Sequence, residues 1–276
     1  MNKNARNIVL TGGTRGIGLS HAHYLAKQGY HLAIIDISKE ACAVYGEVTN
    51  ITNFKKSLDY GNNRVEFYEC DLTDFEKTDL TFSSIIKDFG NINALIANAG
   101  GDIIGNDSKA SGGKAENNTI SISVENHNQV FNRNYITCFN SIKAIAPYLK
   151  KNRYGKIVTT SSISAGIGVE KETAYAVSKA AVMHLTRCVA AELRSYDINV
   201  NCIAPGATLT ERFKTSIKSR NKEDLEKIYN ESNSILNKPA DPMHISAVVS
   251  FLLSKESDYI SGQVIRIDGG QFTSPI

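Results

Sequence analysis

The chain has 276 residues, of which 42% are hydrophobic and 21% charged, and its formal net charge is +3. That length suits one large domain or two small ones, with the composition of an ordinary globular protein. So small a charge gives no electrostatic case for nucleic acid or an anionic membrane, and no apolar run approaches the roughly 18 residues that span a bilayer.

Residues 1–6 carry charges, but the apolar run after them is only a strand long, so no secretory signal is read there and a cytoplasmic location is expected. From there apolar runs alternate with helical patterns. Strands are predicted at 8–11, 31–36, 64–69, 94–98, 156–160, 199–203 and 263–267. Helices are predicted at 16–28, 54–60, 75–89, 125–151, 173–196, 211–232 and 242–253. This alternation implies an α/β fold, a doubly wound parallel sheet of about seven strands with helices on both faces. Continuous Val, Ile and Leu runs fit strands buried on both sides. The whole of 1–276 is expected to form one domain, with ligands bound beyond the strand C-termini. Two stretches look inserted. Residues 38–53 separate the second strand from its helix. Residues 101–119, rich in Gly, Ser, Asn and Lys, follow the fourth strand and either shape access to a site or make a surface excursion.

The five cysteines, Cys42, Cys70, Cys138, Cys188 and Cys202, are odd in number and form no Cys-x-x-Cys, so reduced, mostly buried thiols are expected. His21 and His23 stand two apart on a predicted helix and face different ways, so no metal site is expected there.

Two groups of residues carry chemistry. Between the first strand and first helix lies Gly12-Gly-Thr-Arg-Gly16-Ile-Gly18. Gly12 can turn the chain, Gly16 lets backbone approach a pyrophosphate, and Gly18 permits close helix–strand packing. The helix N-terminus then offers free N–H groups and partial positive charge to a phosphate. Further on, Tyr175 and Lys179 stand four apart, on one face of the predicted helix, with Ser162 thirteen residues upstream. A cation beside the phenol favours phenolate and is expected to lower the Tyr175 pKa from about 10. The pair then acts as general acid and base, while Ser162 hydrogen-bonds a substrate oxygen as charge develops on it.

Gly12-x-x-x-Gly16-x-Gly18, Asn98-Ala99-Gly100, Ser162, Tyr175-x-x-x-Lys179 and Pro205-Gly206 occur in this order, spread over nearly the whole chain. The set resembles the short-chain dehydrogenase/reductase family. The resemblance implies hydride transfer between a nicotinamide cofactor and a secondary alcohol or ketone, a small-molecule substrate, and a homotetramer or homodimer. Ser162, Tyr175, Lys179 and Asn134 would be the catalytic set. Asn134 would support a local helix distortion that holds a water linking Lys179 to solvent; Asn132 is the alternative register. Tyr175 and Lys179 would also bind the cofactor, Lys179 through the nicotinamide ribose. Thr14, Arg15 and Ile17 would join the glycines around the dinucleotide. Asp71 would bind the adenine amino group with the Leu72 N–H assisting. Asn98 would brace the sheet beside Ala99, and Gly100 would admit the ribose. Pro205 and Gly206 would make room for the nicotinamide, with Thr208 and Thr210 near its carboxamide. A substrate lid would occupy about 207–240. One departure is Ala97, which stands where the family usually has a second Asn.

Asp36 ends the second strand, eighteen residues after Gly18. A carboxylate there accepts the ribose hydroxyls of an adenosine and repels a 2′-phosphate. Arg15 in the glycine turn is of the kind often found in NADPH users. The direct carboxylate clash should outweigh an exposed arginine, so NAD is expected and NADP stays open. The alternatives are an NADPH-dependent ketone or 3-oxoacyl reductase, a non-catalytic dinucleotide sensor, and an epimerase or dehydratase. Apolar residues on more than one side of the two longest helices support self-association.

Overall fold

The computed structural model describes residues 6–105, 109–115, 117–218 and 235–273. Seven parallel strands form one sheet in the order β3-β2-β1-β4-β5-β6-β7. They are β1 (Asn7–Thr11), β2 (His31–Asp36), β3 (Val65–Glu69), β4 (Ala94–Ala97), β5 (Gly155–Thr160), β6 (Ile198–Pro205) and β7 (Val264–Ile267). Order reverses between β1 and β4, which is where the ends of neighbouring strands leave a crevice.

The helices are α1 (Gly16–Lys27), α2 (Ile51–Ser57), α3 (Phe75–Phe89), α4 (Val124–Phe131), α5 (Thr137–Asn152), α6 (Thr173–Leu193), α7 (Glu211–Lys218) and α8 (Pro242–Leu253). Successive strand side chains point to opposite faces, and the core divides accordingly. Val9, Ala33, Ile35, Leu95 and Ile157 meet Phe82 of α3, Ile142 and Ile145 of α5 and Val182 of α6. Ile8, Leu10, Ile34, Ile96 and Val158 meet Leu25 of α1, Phe54 of α2 and Ile245 and Val249 of α8.

Most expected boundaries fall within a few residues. The largest difference is the stretch expected as one helix over 125–151, which is α4 and α5 joined by a π-helical segment, Asn132–Ile136. The side-chain amide of Asn134 donates to the Val130 carbonyl four residues back at 2.8 Å, within the altered ladder. The second helix begins earlier than expected because Asn50 caps it, accepting from the Asn53 amide. Residues 219–232 of the predicted lid helix lie outside the described residues.

The described residues of the 101–119 stretch pack against the rest of the chain. Asp102, Ile103, Ala110, Ala115 and Asn118 in it are all buried. Lys114 bridges Asp102, at 3.3 Å, and Glu172 just before α6. Asn118 donates to Asp102 and accepts from the Ala174 amide, both at 2.9 Å.

Candidate active site

Most candidate residues lie just beyond strand ends, while Asn134, Tyr175 and Lys179 sit on helical segments. Thr11 closes β1, and its hydroxyl accepts from the Asn98 and Ala99 amides at 3.0 and 3.1 Å. Asn98 in turn donates to the Gly12 carbonyl at 3.1 Å, so β1 and β4 end in one hydrogen-bonded unit. Ala97, the departure from the family pattern, is 3% exposed and packs in the core.

The glycine turn is built to exclude side chains. Gly12 has φ +62, and a Cβ on it would lie 2.7 Å from the Ala99 Cα. A Cβ on Gly18 would lie 1.9 Å from the Gly12 carbonyl oxygen. Both positions therefore require glycine, one for its backbone and both for space. Asp36, buried at the end of β2, accepts from the Thr14 amide at 3.2 Å and the Thr14 hydroxyl at 2.5 Å. The same carboxylate accepts from the Ile37 amide at 2.9 Å. It thus ties β2 to the glycine turn.

Arg15 is not extended toward solvent. Its guanidinium donates to the Ala110 carbonyl at 3.1 Å and lies over the Tyr45 ring at 5.5 Å. Each of the two inserted stretches therefore holds it. The first contributes another contact that sequence reasoning missed. Both oxygens of Glu47 accept from the Gly16 amide, at 2.9 and 3.1 Å. An anion already sits at the N-terminus of α1, so this cradle suits negatively charged oxygen.

Asp71 is exposed after β3 and accepts from the Thr73 amide and hydroxyl. The cap of α3 is Asp74 instead. The Leu72 side chain is buried and its carbonyl accepts from Asn140. After β6, a Cβ on Gly206 would lie 3.1 Å from the Asp268 Cα, and Thr208 is buried. Thr210 accepts from the Phe213 amide at the start of α7, and its methyl lies 3.5 Å from the Cβ position of Gly16. The 207–240 segment thus starts against the glycine turn.

Ser162, Tyr175, Lys179 and Asn134 converge. Ser162 follows β5 and caps a short 3-10 turn, accepting from the Ser164 amide. Lys179, buried, donates to the Thr160 carbonyl at 2.8 Å. Its ammonium lies 5.8 Å from the Tyr175 ring centroid. Asn134 is 1% exposed, whereas Asn132 faces solvent. Its side chain also exchanges two hydrogen bonds with Gly101, at 2.9 and 3.0 Å. A Cβ on Gly100 would meet the Asn134 oxygen at 2.5 Å and the Lys179 nitrogen at 3.2 Å, so Gly100 is the point where these two groups meet.

The expected lowering of the Tyr175 pKa is not found. Burial pushes the phenol up to about 12, with a Ser162 hydrogen bond and Arg212 opposing the rise. Burial also brings Lys179 down to about 8. Desolvation penalises both charged forms, and in so dry a site it exceeds the attraction expected from the pair alone. Arg212, at the start of α7, donates to the Asp102 carbonyl at 2.7 Å and was not anticipated from spacing.

Among the described residues no cluster of His, Cys, Asp or Glu could hold a metal. His21 is buried between α1 and α8 on Ser246, and burial brings its pKa down to about 3. Cys42, Cys70, Cys138 and Cys202 are buried free thiols, while Cys188 is exposed. No described helix is long and apolar enough to cross a membrane.

A family model described as enoyl-(acyl carrier protein) reductase matches residues 12–271. The chain is 30% identical over 262 residues to the 3-oxoacyl-(acyl-carrier-protein) reductase FabG of Thermotoga maritima, covering 95% of this chain and 96% of that protein. The solved structure of NAD+-bound xylitol dehydrogenase matches with a TM-score of 0.80 at 25% identity, over 98% of this chain and 100% of the other. That of ElxO with NADP bound matches with a TM-score of 0.79 at 25% identity, over 96% and 98%.

Proposed function

The chain belongs to the short-chain dehydrogenase/reductase family, and from that premise we propose that it is an NAD-linked dehydrogenase of a secondary alcohol, with Tyr175, Ser162, Lys179 and Asn134 as its catalytic set. The observation that carries the reading is the run of contacts from Ser162 to Tyr175 and from Tyr175 to Lys179, with Lys179 and Asn134 meeting at Gly100.

A nicotinamide dinucleotide supplies the hydride chemistry when bound. Gly12, Thr14, Gly16, Ile17 and Gly18 would hold its phosphates, Asp36 its adenosine ribose, and Asp71 with the Leu72 amide its adenine. Asn98, Ala99, Gly100 and Lys179 would meet the nicotinamide ribose, and Pro205, Gly206, Thr208 and Thr210 the nicotinamide end. Ser162 orients the substrate oxygen, and Tyr175 takes or gives its proton. Lys179 stabilises the phenolate as it forms. The π segment at Asn134 would hold a water that passes the proton outward.

NAD is favoured over NADP because a carboxylate at the end of β2 would accept ribose hydroxyls and repel a 2′-phosphate. Arg15, the residue that pointed to NADP, is already held by Ala110 and Tyr45. A second reading, a 3-oxoacyl reductase, rests on the similarity to FabG. We place the enzyme in the cytoplasm as a homo-oligomer of single-domain subunits. Steady-state rates with a panel of secondary alcohols and ketones, each with NAD(H) and NADP(H), test the reading. No turnover with any pair would overturn it.

A further inference from the structure

The inserted stretch 38–53 puts a carboxylate into the phosphate cradle. α1 begins at Gly16, with Arg15 at its N-cap making no side-chain capping bond. The free amide of Gly16 is taken instead by Glu47, thirty-one residues on, with both carboxylate oxygens within 3.1 Å. A hydrogen bond from the Glu211 backbone adds to this at the start of α7. One side chain therefore clasps the glycine turn, the inserted stretch and the first turn of the lid segment. Tyr45 reinforces the clasp by lying against Arg15, and Arg15 reaches on to Ala110 of the second insertion.

A carboxylate here resembles a phosphate oxygen in charge and in hydrogen-bond acceptance. The two cannot share one amide, and their charges repel. Around Glu47 the Arg15 guanidinium is favourable and the Glu211 carboxylate unfavourable, and burial raises the Glu47 pKa. The clasp thus holds a charge that its surroundings only partly compensate, and such a contact gives way readily to a better anion.

We propose that Glu47 is a built-in competitor for the dinucleotide pyrophosphate: it closes the glycine turn in the free protein and must swing out, with its segment, before the cofactor binds. This rests on the reading of the glycine turn as the cofactor site. It makes affinity for the cofactor adjustable at a residue that takes no part in the chemistry. The chemical class recognised is a diphosphate, so ADP should compete with Glu47 as the full dinucleotide does.

The test compares wild type with Glu47→Gln and Glu47→Ala. Binding of NADH and of ADP is measured by titration calorimetry, and melting temperature with and without NADH. Both variants should bind NADH and ADP more tightly, by about fivefold or more. The melting temperature of Glu47→Ala should fall without ligand, because a helix cap is lost, and that of both variants should rise further than wild type on adding NADH. A purely structural cap would lower stability in both conditions and leave the dissociation constants unchanged, which overturns the proposal. Weaker binding in the variants would make Glu47 a cofactor ligand and also overturns it. If the folded wild type and both variants all fail to bind NADH, NADPH and ADP, the cofactor reading itself falls, and the competitor with it. If wild type binds and the variants match it, only the competitor falls.

Discussion

Tyr175 sits in a fold that holds its phenol at about 12 and the neighbouring Lys179 at about 8. Tyr175→Phe removes only the hydroxyl, so the protein should fold and bind cofactor while turnover drops by about 100-fold or more. Wild-type turnover in that variant would remove Tyr175 from the mechanism. Lys179 also predicts a pH dependence of stability. The unfolded chain keeps this proton up to 10.5, whereas the folded chain releases it near 8. Between those values the unfolded state binds more protons, so the contribution of this group to stability rises with pH through that window. Lys179→Met should therefore gain on wild type at about pH 7, and lose much of that gain by about pH 9.5. Urea denaturation at the two pH values measures it, and a gain that grew with pH would contradict the assignment. Asp36 carries two jobs. Asp36→Ala should shift the ratio of kcat/KM for NAD over NADP toward NADP, and it should also lower the melting temperature, since Thr14 and Ile37 lose their acceptor. A wild-type preference for NADP in kinetic assays would refute the specificity assignment. Tyr175, Lys179 and Asp36 were legible because each lies at a fixed spacing from a motif. Glu47 and Arg212 were not, because their partners are backbone groups far along the chain, at Gly16 and Asp102.

At the scale of elements, the strands were readable because burial on both faces demands unbroken apolar runs. β2 and α3 fall at the expected limits for that reason and because Asp74 gives α3 a clear cap. The π segment was invisible to periodicity, since one extra residue in a turn barely disturbs an apolar pattern, and only the resemblance pointed to it. The 101–119 stretch was unreadable in another way. Its polar composition suggested solvent, yet Asp102 is 4% exposed and held by Lys114 and Asn118. Lys114→Met would leave Asp102 and Glu172 without their shared cation. Removing one partner from a fully buried pair costs about 3–5 kcal/mol, and the partial exposure of Lys114 and Glu172 reduces this to about 2 kcal/mol. Limited proteolysis should then cut within 101–119 sooner than in wild type. Adding Asp102→Asn should recover part of the loss, because burial already raises the pKa of that carboxyl. Unchanged stability and cleavage in Lys114→Met would show that apolar packing of Ile103 and Ala115 alone seats the segment.

At the scale of the whole molecule, apolar surface stays exposed among the described residues. In α5, Ile142 and Ile145 face the core, while Phe139 remains 38% exposed. In α6, Val182 and Val189 face the core, while Val177 remains 49% exposed. Phe131, Tyr135 and Phe139 form a ladder along the first of these surfaces, with ring centroids 5.2 and 6.2 Å apart. A folded-over insertion could have covered them within one chain. The described residues of the 101–119 stretch instead contact, among others, Arg15, Asn134, Glu172, Arg212, the start of α6 and Gln129 and Arg133 of the α4–π region. Phe139 and Val177 stay open among the described residues, so a second copy of the chain is the partner that suits them. A twofold contact is self-complementary and would place each ladder against its mate. Light scattering at micromolar concentration should give two or four times the 30.2 kDa of one chain. Phe139→Glu would set a charge on that surface, and the mass should fall toward that of one chain with the far-ultraviolet circular dichroism unchanged. A wild-type mass of one chain would refute the association, and an unchanged oligomer in Phe139→Glu would move the interface elsewhere.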